Sequence, residues 1–338
     1  MKDHTVFFRT TTHGCILLVV YVDDIILTGS DSRGIASLKA HLHQHFHTKD
    51  LGPLTYFLGI EVSRFEDTIS FCQRKYALDI LLNVGLSTAT AVDTPLEPGK
   101  RYLHTGSEPF PHPESYRRLV GKLNYLTMTR PDIACAVGKV SQFMEHPTIS
   151  QWDAVLRIVK YIKKDPARDL QYSHHAHLDV EAFCDADYAG CLATRKSTSG
   201  FVVFFAGNLI SWRSKKQTVV SRSSAETEYR AMGTVTTEIL WLRHLLHELG
   251  FPAQTPAHIW CDNQAATKIA SNPVFHERTK HIEVDCHFLR HHLEQNHISF
   301  GHLPTADQLA DLFTKGLPGA RLDSLTTRLG IHSLHGPA

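Results

Sequence analysis

The residues of this sequence that could do chemistry are mainly acidic, and four of them lie at informative places. Two follow short apolar runs, one lies in the first turns of a long amphipathic stretch, and one lies near the C-terminus: Asp185, Asp262, Glu228 and Asp311. A single carboxylate at a strand end or helix start is ordinarily a cap or a solvated charge. Four such positions in an α/β pattern, at strand ends that meet at one sheet edge, favour a shared site.

Phosphodiester cleavage is the reaction that such a site would suit. Two divalent cations roughly 4 Å apart can activate a water and stabilise the leaving oxygen of an in-line displacement. Carboxylate oxygens are the hard ligands that Mg²⁺ prefers, and Mn²⁺ is a possible substitute. We therefore expect the four carboxylates to converge around two such ions.

Glu226 competes with Glu228 for the helix position of this site, since both lie in the first turns of a helix that Ser223 or Ser224 is expected to cap. At about 100° per residue the two glutamates point roughly 200° apart. Helical steps from Glu228 give an apolar stripe, whereas steps from Glu226 give a mostly polar series. The stripe is Ala231, Met232, Val235, Ile239, Leu242 and Leu246; the polar series is Arg230, Gly233, Thr237 and His244. We expect Glu228 to face the sheet and Glu226 to face solvent.

An adjacent pair of carboxylates, Asp23 and Asp24, lies between two apolar runs. One interpretation is an ordinary acidic hairpin turn. The other is a Mg²⁺ site, since one or two carboxylates together with substrate phosphates commonly hold that ion.

Basic residues fall around the predicted four-carboxylate site in two stretches. They are Arg195, Lys196, Lys215 and Lys216, with Arg213 and Arg222, and then Arg278, Lys280 and His281. Phosphate contacts by such residues would give salt-dependent affinity for a duplex, although each could equally be a solvated surface charge. A zinc site built from His276, His281 and His287 is disfavoured because no ligand-pair spacing supports it.

Composition limits the class of protein. The 35 Lys and Arg nearly cancel the 34 Asp and Glu, so any basic surface must be local. Seven cysteines without a C-x-x-C spacing indicate neither a zinc finger nor a disulfide framework, and we expect a reducing, intracellular location, cytoplasm or nucleus. The apolar run Cys15 to Val22 is too short to span a bilayer, and no signal-peptide pattern is present. We expect a protein that is neither secreted nor membrane-bound.

The order of the expected elements divides the chain into segments. Residues 1–92 read as α+β, with strands, a helix opening at Asp31 or Ser32 that presents Ile35, Leu38, Leu42 and Phe46 on one face, and a second helix after Gln73. The strands are expected at Thr5 to Arg9, Cys15 to Val22, Ile25 to Thr28, Leu54 to Val62 and Thr68 to Cys72. Five prolines in residues 93–114 indicate a linker.

Residues 115–175 are expected to be helical, and residues 176–338 to form an α/β domain with a mixed five-stranded sheet. The helices are predicted at Tyr116 to Thr129, Pro131 to Met144 and Gln151 to Lys163. In the last domain, strands are predicted at Val180 to Cys184, Gly200 to Phe205, Leu209 to Arg213, His258 to Cys261 and Ile298 to His302. A long helix, Ser223 to Leu249, shorter helices near 263–270 and 280–295, and a final helix from Ala306 complete the pattern.

Several strings of residues resemble the C-terminal part of the Pol polyprotein of copia-type LTR retrotransposons. The first group resembles the reverse transcriptase palm: Tyr21-Val22-Asp23-Asp24, Asp50-Leu51-Gly52, Phe57-Leu58-Gly59-Ile60-Glu61 and Gln73-Arg74-Lys75-Tyr76. The second is similar to the helical connection: Tyr116-Arg117-Arg118-Leu119 and Arg130-Pro131-Asp132-Ile133. The third resembles the family's ribonuclease H domain: Asp185-Ala186-Asp187-Tyr188, Ser197-Thr198-Ser199-Gly200, Asp262-Asn263-Gln264 and Asp307-Gln308-Leu309-Ala310-Asp311.

This resemblance implies specific roles. Asp185, Glu228, Asp262 and Asp311 would be the metal carboxylates of a ribonuclease H that cuts RNA in RNA–DNA hybrids, and Asp23 and Asp24 would be polymerase carboxylates. The family places a third catalytic aspartate well upstream of that pair, so the polymerase part, a truncated palm and thumb region, is expected to be inactive alone and to need the preceding part of Pol. Template-primer nucleic acid would be a further partner. The alternatives are a non-catalytic remnant and a duplex-binding module.

Overall fold

The computed structural model describes residues 4–99, 107–271 and 283–333. Its strands form three sheets within these residues.

The first sheet is an antiparallel meander of β1 (Val6–Thr11), β2 (Gly14–Tyr21) and β3 (Asp24–Gly29). It confirms the three expected strands to within two residues. The first helix, α1 (Ser32–His45), begins as predicted, because the Asp31 side chain accepts a hydrogen bond from the Gly34 backbone N–H. Its expected apolar face does not become buried: α1 contributes no buried residue to the described structure.

The second sheet joins strands from distant parts of the chain in the order β13-β7-β6-β5-β4. The strands are β4 (Tyr56–Phe57), β5 (Ile60–Phe65), β6 (Thr68–Cys72), β7 (Asp169–Ser173) and β13 (Ile331–His332). The expectation of one strand from Leu54 to Val62 is wrong, since Leu58 and Gly59 have positive φ values of 51° and 78° and turn the chain between β4 and β5. The strand β7 was not predicted; its residues belong to the segment expected to be helical.

Four helices pack against one another and share a hydrophobic core with Leu170 of β7 and Ile331 of β13. They are α2 (Arg74–Asn83), α3 (Pro113–Leu126), α4 (Ala134–Val140) and α5 (Ile149–Lys164). The helix predicted from Pro131 to Met144 is instead a 3₁₀ turn, the short α4 and a second 3₁₀ turn. Arg130 and Asp132, which lie between α3 and α4 in the sequence, form a buried ion pair with 2.8 Å between Nη2 and Oδ2. Burial alone would raise the pKa of Asp132, but the charge and hydrogen bonds of Arg130 hold it at about 2.

The third sheet is the mixed five-stranded sheet that the sequence predicts, in the order β10-β9-β8-β11-β12. Its antiparallel strands are β8 (Val180–Asp187), β9 (Thr198–Phe205) and β10 (Asn208–Lys216), and β11 (Ala257–Cys261) and β12 (Ile298–His302) run parallel to β8. The helices are α6 (Ser224–Glu248), α7 (Gln264–Ser271) and α8 (Glu283–Glu294). The apolar stripe predicted on α6 is buried, so its phase was predicted correctly.

The final segment departs from the predicted helix. It forms two 3₁₀ turns, Thr305–Asp307 and Leu309–Phe313, before the last helix, α9 (Gly319–Arg328). Apolar residues of this segment, from Leu303 to Ile331, share one core with α2, α3, α4 and α5. Trp212 adds a bond between β10 and the end of α3, donating to the Thr127 carbonyl at 3.1 Å. The predicted domain boundary at residue 176 stays a proposal. The final segment packs both against residues that precede this boundary and against residues that follow it.

Among the described helices, none has the length and apolar character that a bilayer crossing requires.

Candidate active site

Two adjacent parallel strands of the third sheet place the first two carboxylates. Asp262 directly follows β11, as expected. Asp185 lies inside β8 rather than at its end, because the strand continues to Asp187, and it pairs with Gly200 of β9. Its side chain is buried, whereas that of Asp262 is half-buried.

The long helix α6 adds the third carboxylate. Ser223 caps this helix by accepting a hydrogen bond from the Glu226 backbone N–H at 3.1 Å. One turn later, Glu228 Oε1 accepts from the Ala186 N–H at 3.2 Å, beside Asp185. Ligand oxygens of Glu228 and Asp262, together with Cys261 Sγ, lie within 4.8 Å of one another.

Glu226 does not behave as predicted. It is 4% exposed, although the helical count placed it in solvent. Its carboxylate accepts from the Arg222 N–H at 2.7 Å and pairs with Arg230 at 3.1 Å. The prediction failed because the residues before the helix fold over this face and supply partners that periodicity does not reveal. The two glutamates nonetheless point to different neighbours.

The segment after β12 brings the fourth carboxylate, Asp311, to the same place. Gln308 anchors this segment by donating from Nε2 to the Cys184 carbonyl at 2.9 Å. Gly200 allows the close approach: a Cβ there would lie 2.7 Å from Phe313 Cβ and 2.8 Å from Thr314 Cγ2. The Thr314 hydroxyl consequently donates a hydrogen bond to Asp185 Oδ2.

Lys315 links two of the carboxylates directly. Its Nζ lies 2.8 Å from Asp311 Oδ1 and 3.4 Å from Asp185 Oδ2. Arg321 lies 3.6 Å from the other Asp311 oxygen. The sequence interpretation missed both cations; the i, i+4 spacing of Asp311 and Lys315 was the available signal.

Burial and the crowding of negative charge shift the pKa values of these carboxyl groups. Burial raises the pKa of Asp185 to about 6, although the charge of Lys315 acts in the opposite direction. Burial also holds the pKa of Glu228 well above its ordinary value, and the nearby Asp185, Cys261 and Asp262 strengthen that shift. A cation among these carboxylates would stabilise the ionised forms of both Asp185 and Glu228. The oxygen donors therefore fit hard divalent ions such as Mg²⁺.

The carboxylates of the first sheet are placed differently. Asp23 and Asp24 are exposed, with Val22 and Asp23 forming the two-residue turn between β2 and β3. Val22 adopts a φ of 52°, an unfavourable conformation for a β-branched residue. Within residues 4–99, 107–271 and 283–333, no third metal-binding side chain joins this pair.

The basic residues expected to bind nucleic acid are only partly available. Arg195, in the loop between β8 and β9, and Lys215, on β10, are exposed, and Lys196 is half-buried. Lys216 is occupied, since its Nζ donates to Gln142 Oε1 at 3.0 Å and lies 2.9 Å from Cys191 Sγ. Arg278, Lys280 and His281, and His276 of the disfavoured zinc site, lie outside the described residues.

Known proteins similar in sequence cover nearly all of this chain. A family model described as reverse transcriptase (RNA-dependent DNA polymerase) matches residues 1–98. The retrovirus-related Pol polyprotein from transposon RE2 of Arabidopsis thaliana is 39% identical over 332 residues, which are 98% of this chain and 23% of that protein. The corresponding polyprotein from transposon TNT 1-94 of Nicotiana tabacum is 34% identical over 98% of this chain and 26% of its own length. The chain thus spans about a quarter of these relatives.

A shorter relative and two solved structures are also similar. An uncharacterised mitochondrial protein of Arabidopsis thaliana is 44% identical over 66% of this chain and 93% of its own length. The N-terminal RNase H domain of a Mycobacterium tuberculosis protein matches 45% of this chain and 98% of the solved chain, with 15% identity and a TM-score of 0.31. A foamy viral protease-reverse transcriptase solved with dsDNA matches 85% of this chain and 55% of its own, with 12% identity and a TM-score of 0.43.

Proposed function

Because this chain belongs to the family of copia-type retrovirus-related Pol polyproteins, we propose that it is a Pol fragment whose third sheet carries a ribonuclease H. The reaction is metal-dependent hydrolysis of RNA within an RNA–DNA hybrid. Asp185, Glu228, Asp262 and Asp311 are its catalytic residues.

The convergence of these four carboxylates supports the proposal most strongly. They come from β8, α6, the end of β11 and a 3₁₀ turn. The first and the last of them, Asp185 and Asp311, are more than 120 residues apart in the sequence. Lys315 links Asp311 to Asp185, the Ala186 N–H links Asp185's strand to Glu228, and Glu228 lies next to Asp262. Burying so many acidic groups costs stability, which is expected of a functional site rather than of a solvated surface.

Mg²⁺ or Mn²⁺ held by these carboxylates would supply an activated water and stabilise the leaving oxygen. The surrounding residues hold the ligands in place. Thr314 orients Asp185, and Thr305 donates to Asp262 Oδ2 at 2.9 Å. Lys315 balances the charge of Asp185 and Asp311.

The substrate is proposed from the surface beside the site. Arg195 is exposed in the loop between β8 and β9, and Lys215 is exposed on β10, where it pairs with Ser199. Ser199 in turn pairs with Ala186, next to Asp185, so we expect both basic residues to contact phosphates of the substrate. Selectivity for the RNA strand would come from its 2′-hydroxyls and the hybrid's shape.

We propose that the polymerase part of this chain does not extend a primer by itself. The Asp23 and Asp24 pair lies on an exposed hairpin, and no third carboxylate joins it among the described residues. Phosphoryl transfer requires metals held by all of their ligands. The exposed apolar side chains of this region, including Phe7, Val22 and Leu51, would suit packing against a preceding part of Pol.

The proposal is tested by incubating the purified full chain with an RNA–DNA hybrid labelled on the RNA, in Mg²⁺ and in excess EDTA. We expect RNA fragments in Mg²⁺ only, and no cleavage of duplex DNA. Hybrid binding without cleavage in Mg²⁺ would instead support the duplex-binding module, and neither binding nor cleavage would support a non-catalytic remnant.

A further inference from the structure

Two cysteines are the immediate sequence neighbours of two carboxylates of the site. Cys184 precedes Asp185 on β8, and Cys261 precedes Asp262 on β11. Since Phe183 pairs with Trp260 in this parallel register, Cys184 and Cys261 occupy the next facing positions. Both are fully buried, and the Cys184 thiol is hydrogen-bonded to Cys261 and to the Trp260 carbonyl, the latter at 3.7 Å.

Cys261 is close enough to the carboxylates to share a cation with them. Its Sγ lies 3.8 Å from Glu228 Oε2, and one donor atom each from Cys261, Glu228 and Asp262 lie within 4.8 Å of one another. The Asn263 N–H donates to Cys261 Sγ at 3.4 Å. The thiol in turn donates to Glu228 Oε2, so the sulfur lies in direct contact with one of the carboxylates.

The positive charge near the site is unevenly distributed. Lys315 pairs with Asp185 and Asp311, and Arg321 pairs with Asp311. In the described part of the chain, no ion pair reaches Glu228 or Asp262. Among the described residues, the carboxyl groups at the end of the site that contains the sulfur therefore have no ion-pair partner.

We infer that Cys261, Glu228 and Asp262 form a site for a thiophilic divalent cation, Zn²⁺ in particular. Thiolate sulfur selects Zn²⁺ over Mg²⁺, and three protein ligands plus a water are a common zinc arrangement. On binding, the Cys261 thiol releases its proton to solvent. Asp262 is half-buried and is the most accessible of the three ligands, since Cys261 and Glu228 are buried.

Zinc at this place would inhibit the nuclease, because Glu228 and Asp262 cannot serve both ions at once. This consequence rests on the proposed function, whereas zinc binding itself does not. The two can therefore be tested separately.

Binding is measured on the full chain with Cd²⁺, a spectroscopic substitute for Zn²⁺, by following the ultraviolet sulfur-to-metal charge-transfer band. We expect the wild type to bind one equivalent that Zn²⁺ displaces, and Cys261→Ser to bind it at least ~100-fold more weakly. Cys286→Ser is the matched control, since Cys286 is buried in the same core but lies outside the donor group. It should bind as the wild type does.

Asp262→Asn gives a second variant at a half-buried position, where misfolding is a smaller concern. It should weaken Cd²⁺ binding at least ~10-fold while leaving the circular dichroism spectrum unchanged. Equal affinity and band intensity in the wild type and Cys261→Ser would overturn the zinc site, whatever the activity. Wild-type Cd²⁺ binding in a chain that fails to cut hybrids in Mg²⁺ would support the zinc site and count against the proposed nuclease.

Discussion

Glu228 Oε1 accepts a hydrogen bond from the backbone N–H of Ala186 at 3.2 Å. This bond ties the first turns of α6 to the strand that carries Asp185. It holds the glutamate's other oxygen toward Cys261 and Asp262. The neighbouring acid on the helix, Glu226, is instead bound by Arg222 and Arg230.

Glu228→Gln is expected to slow hybrid cleavage at least ~100-fold, equivalent to about 2.7 kcal/mol of transition-state stabilisation. The amide keeps the size of the side chain but loses the charge that holds a cation. Single-turnover cleavage in Mg²⁺ measures the effect.

Glu226→Gln is the matched control for that experiment. It should stay within a few-fold of the wild-type rate and should instead lower thermal stability, because it weakens the ion pair between the buried Glu226 and the half-buried Arg230. The opposite ranking of the two rates, with both proteins folded, would show that Glu226 is the metal ligand.

Gly200→Ala should disturb the site without changing any charged group. The new methyl would lie 2.7 Å from Phe313 Cβ, so the segment that carries Thr314 and Lys315 must move away from Asp185. We expect a stability loss of about 1–3 kcal/mol and slower hybrid cleavage. Denaturant unfolding and cleavage assays check both.

The control variant is Gly233→Ala on α6, where an added Cβ would have no neighbouring heavy atom within 4 Å. That change should be neutral or slightly stabilising, since alanine favours helix. If both variants behaved alike, the close approach at Gly200 would not position the site.

Lys315→Met should make the protein's stability more dependent on divalent cations. Without the ammonium, Asp185 and Asp311 lose their shared partner. Because Lys315 is 41% exposed, we expect a loss of only about 1–2 kcal/mol in EDTA. Mg²⁺ should restore most of it, which melting curves in EDTA and in Mg²⁺ will show.

Lys164→Met removes a surface pair with Asp93 and should cost little in either condition. A Lys315→Met loss that Mg²⁺ leaves unchanged would mean that the lysine and the cation do not balance the same carboxylates.

Arg195→Gln and Lys215→Gln should each weaken hybrid binding and lower the slope of log affinity against log salt by about 1. Both side chains are exposed, whereas the Lys216 ammonium donates a hydrogen bond to Gln142. Binding titrations over a range of salt concentrations measure the slopes. An unchanged slope in either variant would remove that residue from the phosphate contacts.

Local patterns predicted much of the fold. The α6 phase, the Asp31 cap and the strand β12 followed from periodicity and capping preferences. The strands β7 and β13 could not be predicted, because they are short and are stabilised by pairing with residues far away in sequence.

The candidate site shows the same limit. The helical periodicity predicted that Glu228 faces the sheet and that Glu226 faces solvent. Glu226 is in fact buried, because residues before the helix cover it. Lys315 was missed because its partners depend on how a segment of 3₁₀ turns docks on β8 and β9. That docking depends on Gly200 and Gln308, whose importance appears only when the chain is folded.

The most direct test of the four-carboxylate site compares two aspartates of the final segment in one assay. Asp311 belongs to the site, whereas Asp307 is exposed and pairs with Arg328 at 3.4 Å. Initial rates of RNA cleavage in a hybrid are measured for the full-length wild type, Asp311→Asn and Asp307→Asn, each in Mg²⁺ and in EDTA. We predict Mg²⁺-dependent cleavage by the wild type and Asp307→Asn, at least ~100-fold slower cleavage by Asp311→Asn, and none in EDTA. Cleavage that persists in EDTA, or equal rates for the two variants, would contradict the account.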